Sequence, residues 1–176
     1  MRSFNSLFSL MRQQIFGNLD LVTTQRRMAL ELIELINPNQ PVFLLGIEKN
    51  GSPLASQLKA YLTEQNPGLS VNVASIRLNK STPETDALSA LADLNLKGQQ
   101  VVVVDDVLNT GRTAMAVVAA AALKLPALLR LLVLVDRMHK AYPISADIAG
   151  ARISTLKGQF VQVELGNGTP AVFLEG

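Results

Sequence analysis

No cysteine stands anywhere in the 176 residues, so thiolate nucleophiles, zinc–thiolate centres and disulfide staples are all excluded. A single histidine, His139, leaves little room for an imidazole metal cluster, and any metal must be held mainly by oxygen. Aromatic residues make up only 5% of the chain, which argues against a general RNA-binding surface of stacked rings in a dense basic stripe. Charged residues are also sparse at 17%, while hydrophobic residues reach 48%, a balance that excludes disorder for the main body. Long apolar runs are missing too. The richest stretch, Ala114 to Leu129, is broken by Lys124 and Pro126, so none reads as a membrane span and a cytoplasmic location is expected. The first nineteen residues contain no acid and carry Arg2 and Arg12 among serines and phenylalanines. That composition suits either an ordinary N-terminal arm, read over residues 1–20, or a targeting segment.

What is present is a length suited to one domain, 1–176, with enough apolar residues for a substantial core. The net charge of +2 favours anionic ligands but is too small to imply nucleic acid by itself. Met28, Leu30, Leu32, Ile33 and Ile36 recur at mostly helical spacing from Thr23, and Asn37-Pro38 ends the run. A short strand is expected at Val42–Leu45, a helix opened by Pro53 through about Glu64, and an alternating strand at Val71–Arg77. The polar stretch Asn79–Asp86 reads as a loop and Leu88–Leu94 as a short helix. Four valines, Val101–Val104, suit a central parallel strand buried on both faces. A helix over Thr113–Leu125 and a strand over Leu129–Val135 follow. Strands alternating with helices predict an open parallel α/β sheet with ligands beyond the carboxyl ends of its strands. Phe160–Leu165 and Pro170–Leu174, joined by Gly166-Asn167-Gly168, predict a C-terminal antiparallel hairpin.

The chemistry concentrates between Val101 and Thr113. Asp105 and Asp106 close a strand, and Asn109-Thr110-Gly111-Arg112-Thr113 opens the next helix. A helix start offers unpaired amides and the positive end of its dipole to a phosphate, and Thr110 and Thr113 add hydroxyl donors. Gly111 permits close backbone approach. Adjacent carboxylates can accept hydrogen bonds from neighbouring ribose hydroxyls or reach magnesium. Taken singly, the acids could simply end a strand and Thr110 could simply cap a helix. No Gly-Lys-Thr or Gly-Lys-Ser follows a glycine-rich run, so this is not a Walker phosphate loop.

The whole run resembles the phosphoribosyl-pyrophosphate motif of type I phosphoribosyltransferases: hydrophobic strand, acid pair, small spacer, Thr-Gly, then Thr. Leu134 to Lys140, Tyr142-Pro143-Ile144, Ala146-Asp147, Gly150 and Ile153-Ser154-Thr155 are similar to the base-side region of the pyrimidine-operon attenuator/uracil phosphoribosyltransferase family. The similarity covers roughly residues 22–165. It implies a five-stranded parallel core, a flexible loop that closes on the site, and a small hood over the base pocket. It also implies transfer of ribose 5-phosphate from phosphoribosyl pyrophosphate to a nucleobase, with Mg2+ as cofactor and a homo-oligomer as the assembly. Some members of that family also bind messenger RNA.

On this resemblance Asp105 and Asp106 would serve ribose and metal, while Lys49 and Lys80 would serve the departing pyrophosphate, unless these lysines are only solvated surface charges. Asn109 to Thr113, Asn50, Gly51, Asp136 and Arg137 would bind substrate. Asp136 and Arg137 either frame the base or form a local ion pair, and His139 either meets a ligand or is an ordinary loop residue. Purine-specific relatives resemble the motif with an aspartate where Asn109 stands, and an amide cannot act as that base, so a pyrimidine such as uracil, or another base needing no carboxylate there, is expected, unless Asn109 simply suits the turn. Two departures stand out. Family members commonly place an arginine before the last glycine of the loop matching Gly46–Gly51, where this chain has Asn50 beside Glu48 and Lys49. The candidate closing loop, Lys80–Asp86, is also short. These leave open a second reading, a regulatory protein that senses ribose phosphates or nucleotides and contacts RNA with little catalysis.

Overall fold

The computed structural model describes residues 12–79, 81–165 and 169–176. Its frame is a five-stranded parallel sheet in the order β3-β2-β4-β5-β6, built from β2 (Val42–Ile47), β3 (Val71–Ile76), β4 (Gln100–Leu108), β5 (Leu128–Asp136) and β6 (Ile148–Arg152). The four consecutive valines show why β4 lies at its centre. Val102 and Val104 pack with helices α1 (Asn18–Leu35) and α2 (Gly51–Gln65), whereas Val101 and Val103 pack with α3 (Pro83–Ala90) and α4 (Arg112–Ala122). All four are fully buried, and each such side chain contributes about 1.5–3 kcal/mol of transfer free energy. A strand with apolar residues on both faces is stable only between two helical layers.

A second sheet, of three strands, forms a hood in the order β1-β8-β7, from β1 (Gln13–Phe16), β7 (Phe160–Glu164) and β8 (Ala171–Glu175). Val163, Leu165 and Val172 enter the same buried cluster as α1 and α2, so the hood shares a core with the main sheet. The expected hairpin is β7 and β8; its turn residues 166–168 lie outside the described residues.

Several expectations need correction. Of the expected arm, 1–20, residues 1–11 lie outside the described residues, while Gln13–Phe16 is a strand paired with β8 and α1 already begins at Asn18. Arg12 anchors this end through ion pairs with Glu164 and Glu175, its guanidinium 3.6 Å over the Phe173 ring. Asn79–Asp86 is not all loop. Pro83 sits in the first turn of α3, where its missing N–H costs nothing, and the Asp86 carboxylate accepts the Asn79 amide at 2.7 Å. The helix therefore lies five residues earlier than expected at its start and ends at Ala90. β4 runs past Val104 to Leu108, so both acids are part of the strand. Strand β6 was not anticipated. Among the described residues, no helix is long and apolar enough to cross a membrane.

Candidate active site

The carboxyl ends of β2, β4 and β5 open into a cleft of about 460 Å³, with hood strand β7 as its far wall. Its floor is the turn from β4 to α4. Gly111 has φ +85°, a conformation open to glycine, and a Cβ there would stand 2.6 Å from the Ile144 side chain. The Thr110 carbonyl accepts the amides of Ala141 at 2.9 Å and Tyr142 at 3.1 Å, which binds this turn to the loop after β5. Helix α4 then starts at Arg112, so the side chains of Thr110 and Thr113 flank first-turn amides that have no helical carbonyl to bond.

Asp105 and Asp106 both line the cleft. The Asp105 carboxylate accepts the Asp106 amide at 2.9 Å, and Asp106 Oδ1 accepts the Val107 amide at 2.8 Å. Asn50 Nδ2 donates to Asp106 Oδ2 at 2.7 Å and to the Val163 carbonyl at 3.0 Å. The residue standing where an arginine was expected is thus engaged with an acid of the motif and with the hood.

Lys49 and Glu48 form the opposite rim, joined by a cis peptide bond. Glu48 does not stand alone against an incoming anion. Arg77 Nε donates to its Oε2 at 2.8 Å; that hydrogen bond, with the attraction between the charges, lowers the Glu48 pKa and raises that of Arg77. Arg112 makes the corresponding pair with Glu84, Nε to Oε1 at 2.8 Å, and adds a 3.3 Å bond to the Ser81 carbonyl. The Glu84 pKa falls and the Arg112 pKa rises, again chiefly through the hydrogen bond. Arg112 consequently ties the start of α3 to the rim of the cleft.

Arg137 lines the cleft next to Asn109. Its Nη1 donates to Asn109 Oδ1 at 2.9 Å, and Thr155 Oγ1 and the Gln159 carbonyl hold the rest of the guanidinium. Asp136 takes no part in an ion pair with Arg137. It is 1% exposed, accepts the Met138 amide at 2.9 Å and pairs with Lys140 at 2.9 Å, away from the cleft lining. Gly51 is buried as well, and its role is spatial: a Cβ would meet the Val104 carbonyl at 2.5 Å, so only glycine lets α2 start against β4. His139 Nε2 lies 2.6 Å from the Thr155 carbonyl and braces the loop after β5. Lys80 lies outside the described residues.

Sequence reasoning missed the β7 wall, where Phe160 and Gln162 face the cleft, and the bracing of Arg137 by Thr155 and Gln159. Alternation along Phe160–Leu165 predicted a strand but held no signal of which sheet or cleft it would meet.

A parallel sheet whose acid-bearing central strand feeds a phosphate-type helix start, closed over by a small antiparallel hood, defines the type I phosphoribosyltransferase class. A phosphoribosyl transferase domain model matches residues 12–166, and the chain belongs to the phosphoribosyltransferase family. It is 35% identical to the bifunctional protein PyrR of Clostridium perfringens over 147 residues, covering 79% of this chain and 82% of that one. To the bifunctional protein PyrR of Corynebacterium diphtheriae it is also 35% identical, over 93% of each chain. In fold it resembles a hypoxanthine-guanine phosphoribosyltransferase from Bacillus anthracis, with a TM-score of 0.74 at 15% identity over 95% of this chain and 99% of that one. The hypoxanthine phosphoribosyltransferase of Trypanosoma cruzi gives 0.69 at 19% identity, over 85% and 84%.

Proposed function

We propose that this protein transfers ribose 5-phosphate from phosphoribosyl pyrophosphate to a nucleobase with the help of magnesium, and that uracil is its preferred base. The observation that carries the reading is that the Asp105–Asp106 pair and the Thr110–Thr113 helix start line one cleft under the hood. In the reaction the bond from C1′ to the pyrophosphate oxygen breaks and a bond from C1′ to the base nitrogen forms. The nitrogen's proton is released. Thr110, Thr113 and the first amides of α4 bind the 5′-phosphate, and Asp105 and Asp106 accept hydrogen bonds from the ribose hydroxyls. Lys49 faces the departing pyrophosphate, a role shared with Lys80 on the resemblance described above.

The donor set fits magnesium. Two adjacent carboxylates, with no group of three metal-ligating side chains among the described residues and Glu48 across the cleft paired with Arg77, match an ion that keeps several waters and takes oxygens from substrate phosphates. When bound, magnesium neutralises charge on the leaving pyrophosphate. The hood strand β7 excludes water that would otherwise hydrolyse the donor.

A second reading is favoured by one observation. Residue 50 is an asparagine whose amide is engaged with Asp106 and Val163, so this position offers pyrophosphate neither an arginine fork of the kind the resemblance implies nor a free amide donor. A nucleotide-sensing regulator, with RNA as a further partner, needs donor or nucleotide binding but little turnover. Incubation with magnesium, phosphoribosyl pyrophosphate and a panel of nucleobases decides between them. Pyrophosphate release dependent on uracil is expected; binding of donor or nucleotide without release on any base supports the regulator.

A further inference from the structure

Arg137 is a buried cation held by neutral groups. The residue is 8% exposed, and it forms no ion pair among the described residues. Its Nη2 donates to Thr155 Oγ1 at 2.9 Å and to the Gln159 carbonyl at 2.6 Å, its Nε to Thr155 Oγ1 at 3.3 Å, and its Nη1 to Asn109 Oδ1 at 2.9 Å. A guanidinium has donors and no acceptor. The Asn109 amide can therefore meet it in one orientation only, oxygen toward Arg137 and Nδ2 away from it. Asn109 is exposed and lines the cleft, and among the described residues its Nδ2 donates to no protein group.

We infer that Arg137 is a positioning residue that fixes Asn109 as an N–H donor to the base, and that the base selected carries a carbonyl oxygen next to its reacting ring nitrogen. This rests on the reading of the protein as binding nucleobases or their nucleotides. A 2-oxopyrimidine satisfies the donor, because uracil N1 is flanked by the C2 carbonyl. The five-membered ring of free hypoxanthine or guanine, in the tautomer that reacts at N9, instead presents N7–H, and a donor facing a donor loses both bonds. Arg137 does more than orient. Its charge polarises the amide through Oδ1 and strengthens the Nδ2–H donor at the other end. As the base nitrogen loses its proton, negative charge spreads to the C2 oxygen, where this donor stands, so the contact strengthens toward the transition state.

The test compares UMP with 2-thio-UMP by calorimetry, since sulfur is the poorer acceptor, alongside turnover of uracil and hypoxanthine. The parent should bind UMP about five- to tenfold more tightly than the thio analogue. Asn109→Leu should bring that ratio close to one. Arg137→Gln should leave an intermediate ratio; a ratio equal to the parent's in a folded Arg137→Gln protein overturns the positioning role. If Arg137→Gln does not fold, Asn109→Asp decides, because it keeps an oxygen for Arg137 and removes the donor. It should abolish the preference for the 2-oxo group and raise hypoxanthine use relative to uracil. Equal affinity of the parent for the two nucleotides overturns the inference even where uracil turns over. A retained ratio without any turnover supports the inference while the catalytic reading falls, and failure to bind either nucleotide overturns both.

Discussion

Asn50 joins the end of β4 to the hood, its Nδ2 standing 2.7 Å from Asp106 Oδ2 and 3.0 Å from the Val163 carbonyl. Both acceptors are at least half-buried, so removing the amide leaves each without this donor. Asn50→Ala should cost about 1–2 kcal/mol of stability, read as a lower denaturant midpoint with an unchanged slope. Asn50→Arg keeps donors for both acceptors and adds a fork for pyrophosphate. It should raise pyrophosphate affinity, and turnover by roughly one to two decades, provided the new contact tightens in the transition state. No change in either quantity, beside a briskly active parent, means the natural loop already suffices.

On the proposed function the two acids recognise ribose hydroxyls, and the α4 helix start recognises phosphate. The double variant Asp105→Asn, Asp106→Asn should weaken binding of phosphoribosyl pyrophosphate far more than binding of free phosphate, because hydroxyl recognition is lost while the α4 helix start is untouched. Calorimetry is the measurement. Equal donor affinity in variant and parent removes both acids from the proposed ribose site.

Glu48 and Glu84 both have lowered pKa values, owing first to hydrogen bonds from Arg77 and Arg112. A carboxyl whose folded pKa is depressed stabilises the protein fully above its ordinary range, near 4.5 here, and loses that contribution as pH falls through the folded value. The advantage of the parent over Glu84→Gln should therefore shrink as pH is lowered from about 6 to about 3. Because these pairs are exposed, the effect is small and salt-sensitive. An advantage that grows on acidification contradicts the assignment.

Met138 has φ +59° and is 59% exposed, so it carries left-handed backbone strain without burying its side chain in return. The Asp136 carboxylate holds its amide at 2.9 Å and keeps the loop in that shape. Met138→Gly should leave the loop intact and stabilise the protein by up to about 1 kcal/mol, the relief of strain exceeding the entropy glycine loses. A lowered thermal midpoint means that Met138 makes contacts worth more than the strain.

The cleft floor was legible in the sequence because its determinants are local. Val101–Val104 are apolar on every residue, which suits only a strand with helices on both faces, and the acids, turn and helix start follow within thirteen residues of chain. β6 was not legible. Ile148-Ala149-Gly150-Ala151-Arg152 has neither alternation nor bulk, and it becomes a strand because β5 offers an edge and Arg27 on α1 donates to the Gly150 carbonyl at 2.7 Å. β1 was hidden likewise, its pairing with β8 joining the two ends of the chain.

Residue type at the site was readable, and residue use was not. The sequence by itself determined that Asn50 stands beside Glu48 and Lys49, where the family resemblance implies an arginine, that residue 109 is an amide and not a carboxylate, and that Asp136 precedes Arg137. Only the tertiary structure decided that Asn50 bonds Asp106 and a carbonyl from a strand more than a hundred positions away, that Arg137 turns to Asn109 while Asp136 turns to Lys140, and that Arg77 balances Glu48. The physical reason is that a hydrogen bond is satisfied by whichever partner packing brings within about 3 Å, in the right direction. Chain neighbours are set by sequence, but neighbours across a cleft are set by how sheet, helices and hood close on one another.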